Sequence, residues 1–360
     1  MNKAVVAGVF PARDDFRLSE VVELTKNGGY LVVDKIVQFR ETPHSKYLIG
    51  PGKLQELKDK MSKYDIKTVI FANELSPGQY FRLQKELGVD VNILDRVLLI
   101  LKIFEKRALT SEAKLQIELA RLKYTLPWAR ELVRLRGFGS EKMGFGSLGG
   151  YPYKAYLSFA RRRIKTIEEK LRKLKEREEK LILQRKEIML PIVALAGYTQ
   201  SGKTTLFNIL TKESKTTGLG PFTTLETCAR RVSAYGRDFI VVDSLGFIEE
   251  MPSLILDAFH ATLTELRLAD VVVLMVDVSE PPSRISKKVE TSLSIISQVT
   301  KMKKPTIIAA NKIDLIGDAR LESTLKLIKS LVPQYEIIVL SAKKGVNVSY
   351  LLKRIVELGT

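Results

Sequence analysis

Metal and redox sites have little to build on in this chain. Its 360 residues include one cysteine, Cys228, and two histidines, His44 and His260. A lone cysteine excludes an intramolecular disulfide and fits a reducing compartment. So few soft ligands argue against a zinc site. Long apolar runs are missing too. Val271–Val276 is among the purest, and it has the length of a buried strand, far short of the ~20 residues that cross a bilayer. The apolar patch Ala4–Phe10 leads into Asp14 and Asp15 without a small-residue cleavage site, which does not read as a signal peptide. The expectation is a cytoplasmic protein without stable membrane insertion, and a monomer.

Positive charge is abundant and unevenly spread. Lys and Arg total 59 against 41 Asp and Glu, a net of +18. Residues 1–190 hold 38 basic and 24 acidic side chains, hence +14, whereas residues 191–360 hold 21 and 17, hence +4. Concentrated in one half, such an excess suits a polyanionic partner such as RNA or an anionic membrane surface. Lys-rich and Glu-rich surfaces also serve solubility and thermal stability.

The pattern divides the chain into three segments: 1–106, 107–190 and 191–360. In the first, Ala4–Val9, Tyr30–Phe39, Thr68–Ala72 and Val89–Ile93 read as strands, with helices at Leu18–Thr25, Lys53–Lys63 and Pro77–Leu87 between them. This alternation predicts a small parallel α/β sheet. In the second, Leu115, Leu119, Leu122 and Leu126 recur at helical spacing behind Ser111 as N-cap, until Pro127 disturbs the pattern. A second helix is predicted over Lys154–Ile188, about 50 Å long, with Ile164, Ile167, Leu171, Leu174, Leu181 and Ile188 on a heptad seam that Glu178 and Arg185 break. Six glycines lie between the helices, so the simplest geometry is a long antiparallel hairpin with a glycine-rich connection. Trp128 is expected to pack within it. Pro191 then opens about 170 residues of strand–helix alternation, enough for one complete α/β domain.

That third segment carries the chemistry. Gly197, Tyr198, Thr199, Gln200, Ser201, Gly202, Lys203 and Thr204 match G-x-x-x-x-G-K-[ST], after the apolar run Ile192–Ala196 and before the helix-like Thr205–Leu210. Glycines there let backbone N–H groups wrap phosphates at a helix N-terminus. Lys203 reaches the β- and γ-phosphates and the Thr204 hydroxyl binds Mg²⁺. Asn311, Lys312, Ile313 and Asp314 follow the strand-like Thr306–Ala310 and match N-K-x-D. An aspartate there accepts from guanine N1 and N2, whereas adenine lacks the exocyclic 2-amino donor. The site therefore points to GTP and GDP. Ser341, Ala342 and Lys343, after Ile337–Leu340, suit a companion loop whose backbone N–H meets guanine O6. Asp243 through Gly246 match D-x-x-G at the end of Phe239–Val242. Asp243 would hold Mg²⁺ through water, and the Gly246 N–H would sense the γ-phosphate. Within Phe222, Thr223 and Thr224, Thr224 is the first choice to complete the Mg²⁺ shell, with Thr223 the alternative. Lys203, Thr224 and Gly246 thus carry the catalytic roles, Thr205 lies beside the phosphates, and the third segment is expected to be a Ras-like P-loop GTPase domain.

With these residues in place, the chain resembles the HflX family of translational GTPases over nearly its whole length. The likeness includes Tyr47–Leu57, Asn92–Arg107, Ala113–Leu126, Arg136–Gly139, Arg161–Ile164, Gly197–Asn208 and Asp243–Ile248. It implies a factor that binds the large ribosomal subunit and its rRNA through the basic half and promotes ribosome dissociation or rescue under stress. Three departures limit the transfer. Gly144-Phe145-Gly146-Ser147 stands where the family has G-P-G-E, and Gln200 replaces a common Asn that helps coordinate potassium in related GTPases. Pro221–Thr224 looks more like the neighbouring Obg family. The motif Gly50-Pro51-Gly52-Lys53 reads as a structural turn or an RNA-backbone contact rather than a second nucleotide site. The competing function is a regulatory switch acting on a protein effector without RNA.

Ras-like enzymes place a water-orienting glutamine directly after the D-x-x-G glycine; here that residue is Phe247. An apolar side chain cannot orient water, so intrinsic hydrolysis is predicted to be slow. Single-turnover kinetics on the isolated protein check this, and a rate matching fully stimulated enzymes would contradict it.

Overall fold

The computed structural model describes residues 2–11, 15–88, 90–108, 110–137, 151–186, 190–212, 228–243, 246–247, 266–300 and 304–359. The chain separates into two compact units, Met1–Leu174 and Lys175–Thr360.

In the first unit four parallel strands, β1 (Asn2–Phe10), β2 (Tyr30–Phe39), β3 (Thr68–Phe71) and β4 (Asn92–Leu94), lie in the order β2-β1-β3-β4. Parallel pairing requires crossovers, which α1 (Asp15–Asn27), α2 (Pro51–Lys63) and α3 (Pro77–Leu87) supply. Because helices cover a parallel sheet, its inner strand is apolar without alternation: Ala4, Val5, Val6 and Ala7 are fully buried. The Gly50–Lys53 motif is a helix start. Pro51 occupies the first turn of α2, the Gly50 N–H donates to Gln38 Oε1 at 2.8 Å, and Lys53 pairs with Glu56 at 2.7 Å.

A fourth helix, α4 (Arg96–Arg107), has no counterpart in the sequence-based expectation. Val97, Leu99, Ile100, Leu101, Ile103 and Phe104 are all buried. The unbroken apolar run Val97–Leu101 near the start of this helix cannot be told from a buried strand by periodicity alone. Asp95 caps it, its carboxylate accepting from the Leu98 N–H at 2.9 Å and the Leu75 N–H at 3.2 Å.

The second segment forms a hairpin of α5 (Ser111–Gly137) and α6 (Tyr151–Lys186). Glu118 binds Arg163 through two 2.7 Å bonds, and Thr125 meets Tyr156 at 3.4 Å. Seven residues forward on α5 are thus seven back on α6, so the helices run antiparallel. Leu122, Ala160 and Ile167 form the seam, flanked by Leu115, Leu119, Leu126, Ile164 and Leu171. The glycine-rich connection lies outside the described residues, as do the side chains of Leu181 and Ile188.

Three details depart from expectation. Thr110, not Ser111, receives the helix start, its hydroxyl accepting from the Ala113 N–H at 3.2 Å. Pro127 does not end α5, which continues to Gly137. A proline costs a helix its local bond, but packing beyond it compensates. Trp128, expected in the hairpin, instead stacks on Tyr80 of α3 at 4.2 Å and meets Tyr124 at 5.2 Å.

In the second unit β5 (Ile192–Gly197), β6 (Cys228–Ala234), β7 (Arg237–Asp243), β8 (Val271–Asp277), β9 (Thr306–Asn311) and β10 (Glu336–Leu340) are ordered β10-β9-β8-β5-β7-β6, with only β6 antiparallel. Described helices are α7 (Lys203–Thr211), α8 (Pro282–Thr300), α9 (Asp318–Leu331) and α10 (Val348–Leu358). Period-2 alternation sends Val193, Leu195, Val273, Met275, Ile307 and Ala309 into one core. Ala194, Ala196, Val272, Leu274, Ile308 and Ala310 enter the other. The five parallel strands all finish at one edge, and the strand order reverses around β5, where open α/β sheets place their ligands.

The Asp95 carboxyl, almost wholly buried, also accepts from the Tyr124 hydroxyl of α5. Burial pushes its pKa up to about 6 against the opposing pull of the Leu98, Tyr124 and Leu75 donors. A raised acid binds its proton more tightly folded than unfolded, so stability is predicted to fall as pH rises from about 4 to 6, by up to ~1.4 kcal/mol per pH unit, and to level off above. Denaturant titrations across that range check this, and Asp95→Asn should flatten the slope.

Candidate guanine-nucleotide site

At the sheet edge each of the five parallel strands delivers one part of the site. The turn after β5 closes on Gly202, whose φ of +102° is left-handed; a Cβ there would lie 2.2 Å from the Asn311 amide nitrogen. Only glycine fits, and α7 starts directly behind it. Lys203, the first residue of α7, is 6% exposed, and its ammonium donates to the carbonyls of Gly197 at 3.0 Å and Tyr198 at 2.7 Å. Burial lowers its pKa to about 8; the Asp243 carboxylate opposes this shift and the Lys288 ammonium adds to it. The Thr204 hydroxyl donates to Asp243 Oδ2 at 2.9 Å, bringing together the end of β7 and the first turn of α7.

Beyond β7 the chain is laced to the phosphate loop. The Phe247 N–H donates to the Gly197 carbonyl at 3.0 Å, and the Thr199 N–H donates to the Phe247 carbonyl at 2.8 Å. The Phe247 side chain is 1% exposed and joins the core with Ala194, Tyr198 and Val272. Gly246 lies so near the loop that a Cβ would sit 2.8 Å from Thr199 Cγ2 and 3.1 Å from the Lys203 ammonium.

At the other end Asn311 holds two loops at once. Its amide nitrogen donates to the Ser201 carbonyl at 2.8 Å, and its amide oxygen accepts from the Ala342 N–H at 2.9 Å. Asp314 accepts from the Ser341 hydroxyl at 2.6 Å, and that hydroxyl accepts from the Lys344 N–H at 3.1 Å. Lys312 adopts a left-handed φ of +69° and pairs with Asp277 Oδ2 at 2.5 Å. The structure thus gathers Gly197–Thr205, Asp243, Gly246, Asn311, Lys312, Asp314 and Ser341–Lys343 along one edge. Phe222, Thr223 and Thr224 lie outside the described residues.

Two supporting residues escaped the sequence reading. Asp277, at the end of β8, braces Lys312 and accepts from Ser279 N and Oγ at 2.9 and 2.6 Å. Its signal was available: a pure apolar strand ending in a carboxylate at the edge that carries the other motifs. Lys288 of α8 lies 4.9 Å from the Tyr198 ring centroid and 2.6 Å from Glu280 Oε1. No local pattern announces such a pair.

A phosphate loop, a D-x-x-G segment and a tethered N-K-x-D loop at the edge of this six-stranded sheet define a P-loop domain that binds guanine nucleotides. A family model described as 50S ribosome-binding GTPase matches residues 192–312. The models described as GTP-binding GTPase N-terminal and Middle Region match 15–105 and 107–185. GTPase HflX of Thermococcus kodakarensis is 40% identical over 338 residues, covering 92% of this chain and 76% of that protein. GTPase HflX of Hyperthermus butylicus is 39% identical, with 95% and 92% covered. Among solved structures, a GTP-binding protein from the hyperthermophilic archaeon Sulfolobus solfataricus in complex with GDP is 28% identical; the match covers 100% of this chain and 99% of that one, with a TM-score of 0.54. A complex of SsGBP and GDP is 29% identical, with 100% and 98% covered and a TM-score of 0.60. This chain belongs to the HflX family of GTPases and is a GTP-hydrolysing enzyme.

Asn311→Ala would leave the Ser201 carbonyl and the Ala342 N–H, both held by its buried amide, without that partner. A loss of about 2–4 kcal/mol in stability is predicted, with weaker binding of GDP and GTP alike. Chemical denaturation and nucleotide titration measure both, with Lys326→Ala, on the exposed face of α9 and away from the site, as the near-neutral control.

Proposed function

We propose that this GTPase is a ribosome-associated factor whose nucleotide state controls how its basic N-terminal half engages the RNA of the large subunit, promoting ribosome dissociation or rescue. The observation that carries this reading is the charge on α6. From Lys154 to Leu174 there are eight basic and two acidic residues. Glu168 is held by Lys123 and Arg163 by Glu118. Arg161, Arg162 and Lys165 are exposed, with no acidic partner among the described residues. An unneutralised cationic helix is the electrostatic footprint of a phosphate backbone. We read residues 1–106 and 107–190 as the sheet and hairpin of this RNA-binding half, and 191–360 as the GTPase domain of a cytoplasmic monomer.

In the site, Lys203 and the N–H groups of the Tyr198–Thr205 loop, apart from that of Thr199, which the Phe247 carbonyl takes, receive the phosphates, and Asp314 with the Ala342 and Lys343 backbone reads guanine. The Thr204 hydroxyl and Asp243 carboxylate present hard oxygen donors side by side, which suits Mg²⁺. Thr204, Asp243 and Thr224 would hold the ion, which when bound neutralises phosphate charge. The Gly246 N–H would report the γ-phosphate, whose contacts with this group and with Thr224 would be made in the GTP form and lost on hydrolysis. Slow intrinsic turnover follows from Phe247, whose ring is committed to the core and whose backbone is paired with the phosphate loop.

The second reading, a switch for a protein effector, would use the hairpin as an apolar contact. Its seam residues are already packed between α5 and α6, which favours the RNA reading. Co-sedimentation with purified large subunits, comparing GDP with a non-hydrolysable GTP analogue, tests the proposal. Binding favoured by the analogue and abolished by charge reversal at Arg161 and Arg162 is expected. No binding in either state would remove the ribosomal role and leave the GTPase intact.

A further inference from the structure

Charge alone does not explain one feature of α6. Phe159 is 60% exposed on this helix, and Tyr156, nearly one turn earlier, is 38% exposed. The hairpin does not use the Phe159 ring, because the neighbouring Ala160 is the residue turned into the seam with Ile167 and Leu122. At helical spacing Phe159 shares its stripe with Arg162 and Thr166. Both are exposed, and Arg161 and Lys165 stand beside that stripe. Among the described residues this stripe holds only Ala155 and Tyr156 as apolar neighbours on one side and turns polar and cationic on the other, too little apolar surface for a protein-binding patch or a lipid-facing side. The flat face of the Phe159 ring set among cations matches a different ligand chemistry. A nucleobase stacks on an aromatic ring while neighbouring arginines and lysines take the phosphates on either side, a combination tolerant of base identity.

We propose that Phe159 is a stacking platform for an unpaired RNA nucleobase, with Arg161, Arg162 and Lys165 binding the adjoining phosphates. The proposal rests on the RNA reading above and deepens it: the helix grips single-stranded or looped RNA rather than the uniform backbone of a duplex.

Binding of fluorescent oligoadenylate, an abasic strand of the same length and a blunt RNA duplex by the full-length protein tests this. The wild type should prefer oligoadenylate to the abasic strand. Phe159→Ala should weaken oligoadenylate binding about 10-fold, leave abasic binding unchanged and keep the salt slope. Phe159→Trp should retain the preference. Arg162→Ala should weaken both strands and reduce the salt slope by about one. Equal affinity of wild type and Phe159→Ala for oligoadenylate, with Arg161→Glu/Arg162→Glu still weakening it, would overturn the platform while leaving the RNA reading in place. Equal wild-type affinity for the adenylate and abasic strands would also overturn it. Failure of the wild type to bind any probe would remove both. An unchanged thermal melt of Phe159→Ala, expected for an exposed ring, separates loss of contact from loss of fold.

Discussion

One buried amide organises the nucleotide domain. Asn311 leaves the end of β9 with a donor and an acceptor, and each is used on a different loop: the nitrogen on the Ser201 carbonyl, the oxygen on the Ala342 N–H. A shorter residue reaches neither loop, and an aspartate would set an acceptor against the Ser201 carbonyl. The same amide lies where a Cβ on residue 202 would fall, so the glycine of the phosphate loop and the asparagine of the base loop require one another. Phosphate recognition and guanine recognition are thus two ends of one hydrogen-bonded piece rather than separate motifs sharing a sheet.

Much of this was legible in the chain because of where the motifs stand. Each short pattern follows an apolar run, and parallel strands that run the same way must finish at the same edge. Apolar runs followed by polar signatures therefore gave both the fold of this half and the membership of its site. The N-terminal sheet was readable for a similar reason, its strands and helices alternating with clear changes of period.

What stayed hidden has a common cause. α4 runs from Arg96 into five consecutive apolar residues, Val97–Leu101, and its polar face at Lys102, Glu105 and Lys106 comes only in the last turns. Pro127 reads as a breaker by local rules, yet Trp128 beyond it is fixed by Tyr80, a partner 48 positions earlier in the chain. Lys288 and Glu280 find each other and Tyr198 only when α8 packs beside β5 and β8. The cap at Thr110 was missed by one residue, a matter of local backbone rather than pattern. These are tertiary decisions, made by packing after propensity has had its say.

The anchoring of Lys203 bears on what can move this charge. Its ammonium donates to the carbonyls of Gly197 and Tyr198, main-chain groups that every residue type carries. Gly197 and Gly202, which bracket the loop, both have positive φ, +131° and +102°, a region side chains rarely enter. The charge is therefore tied to the path of the backbone and not to any neighbouring side chain, and it shifts only if the loop itself does.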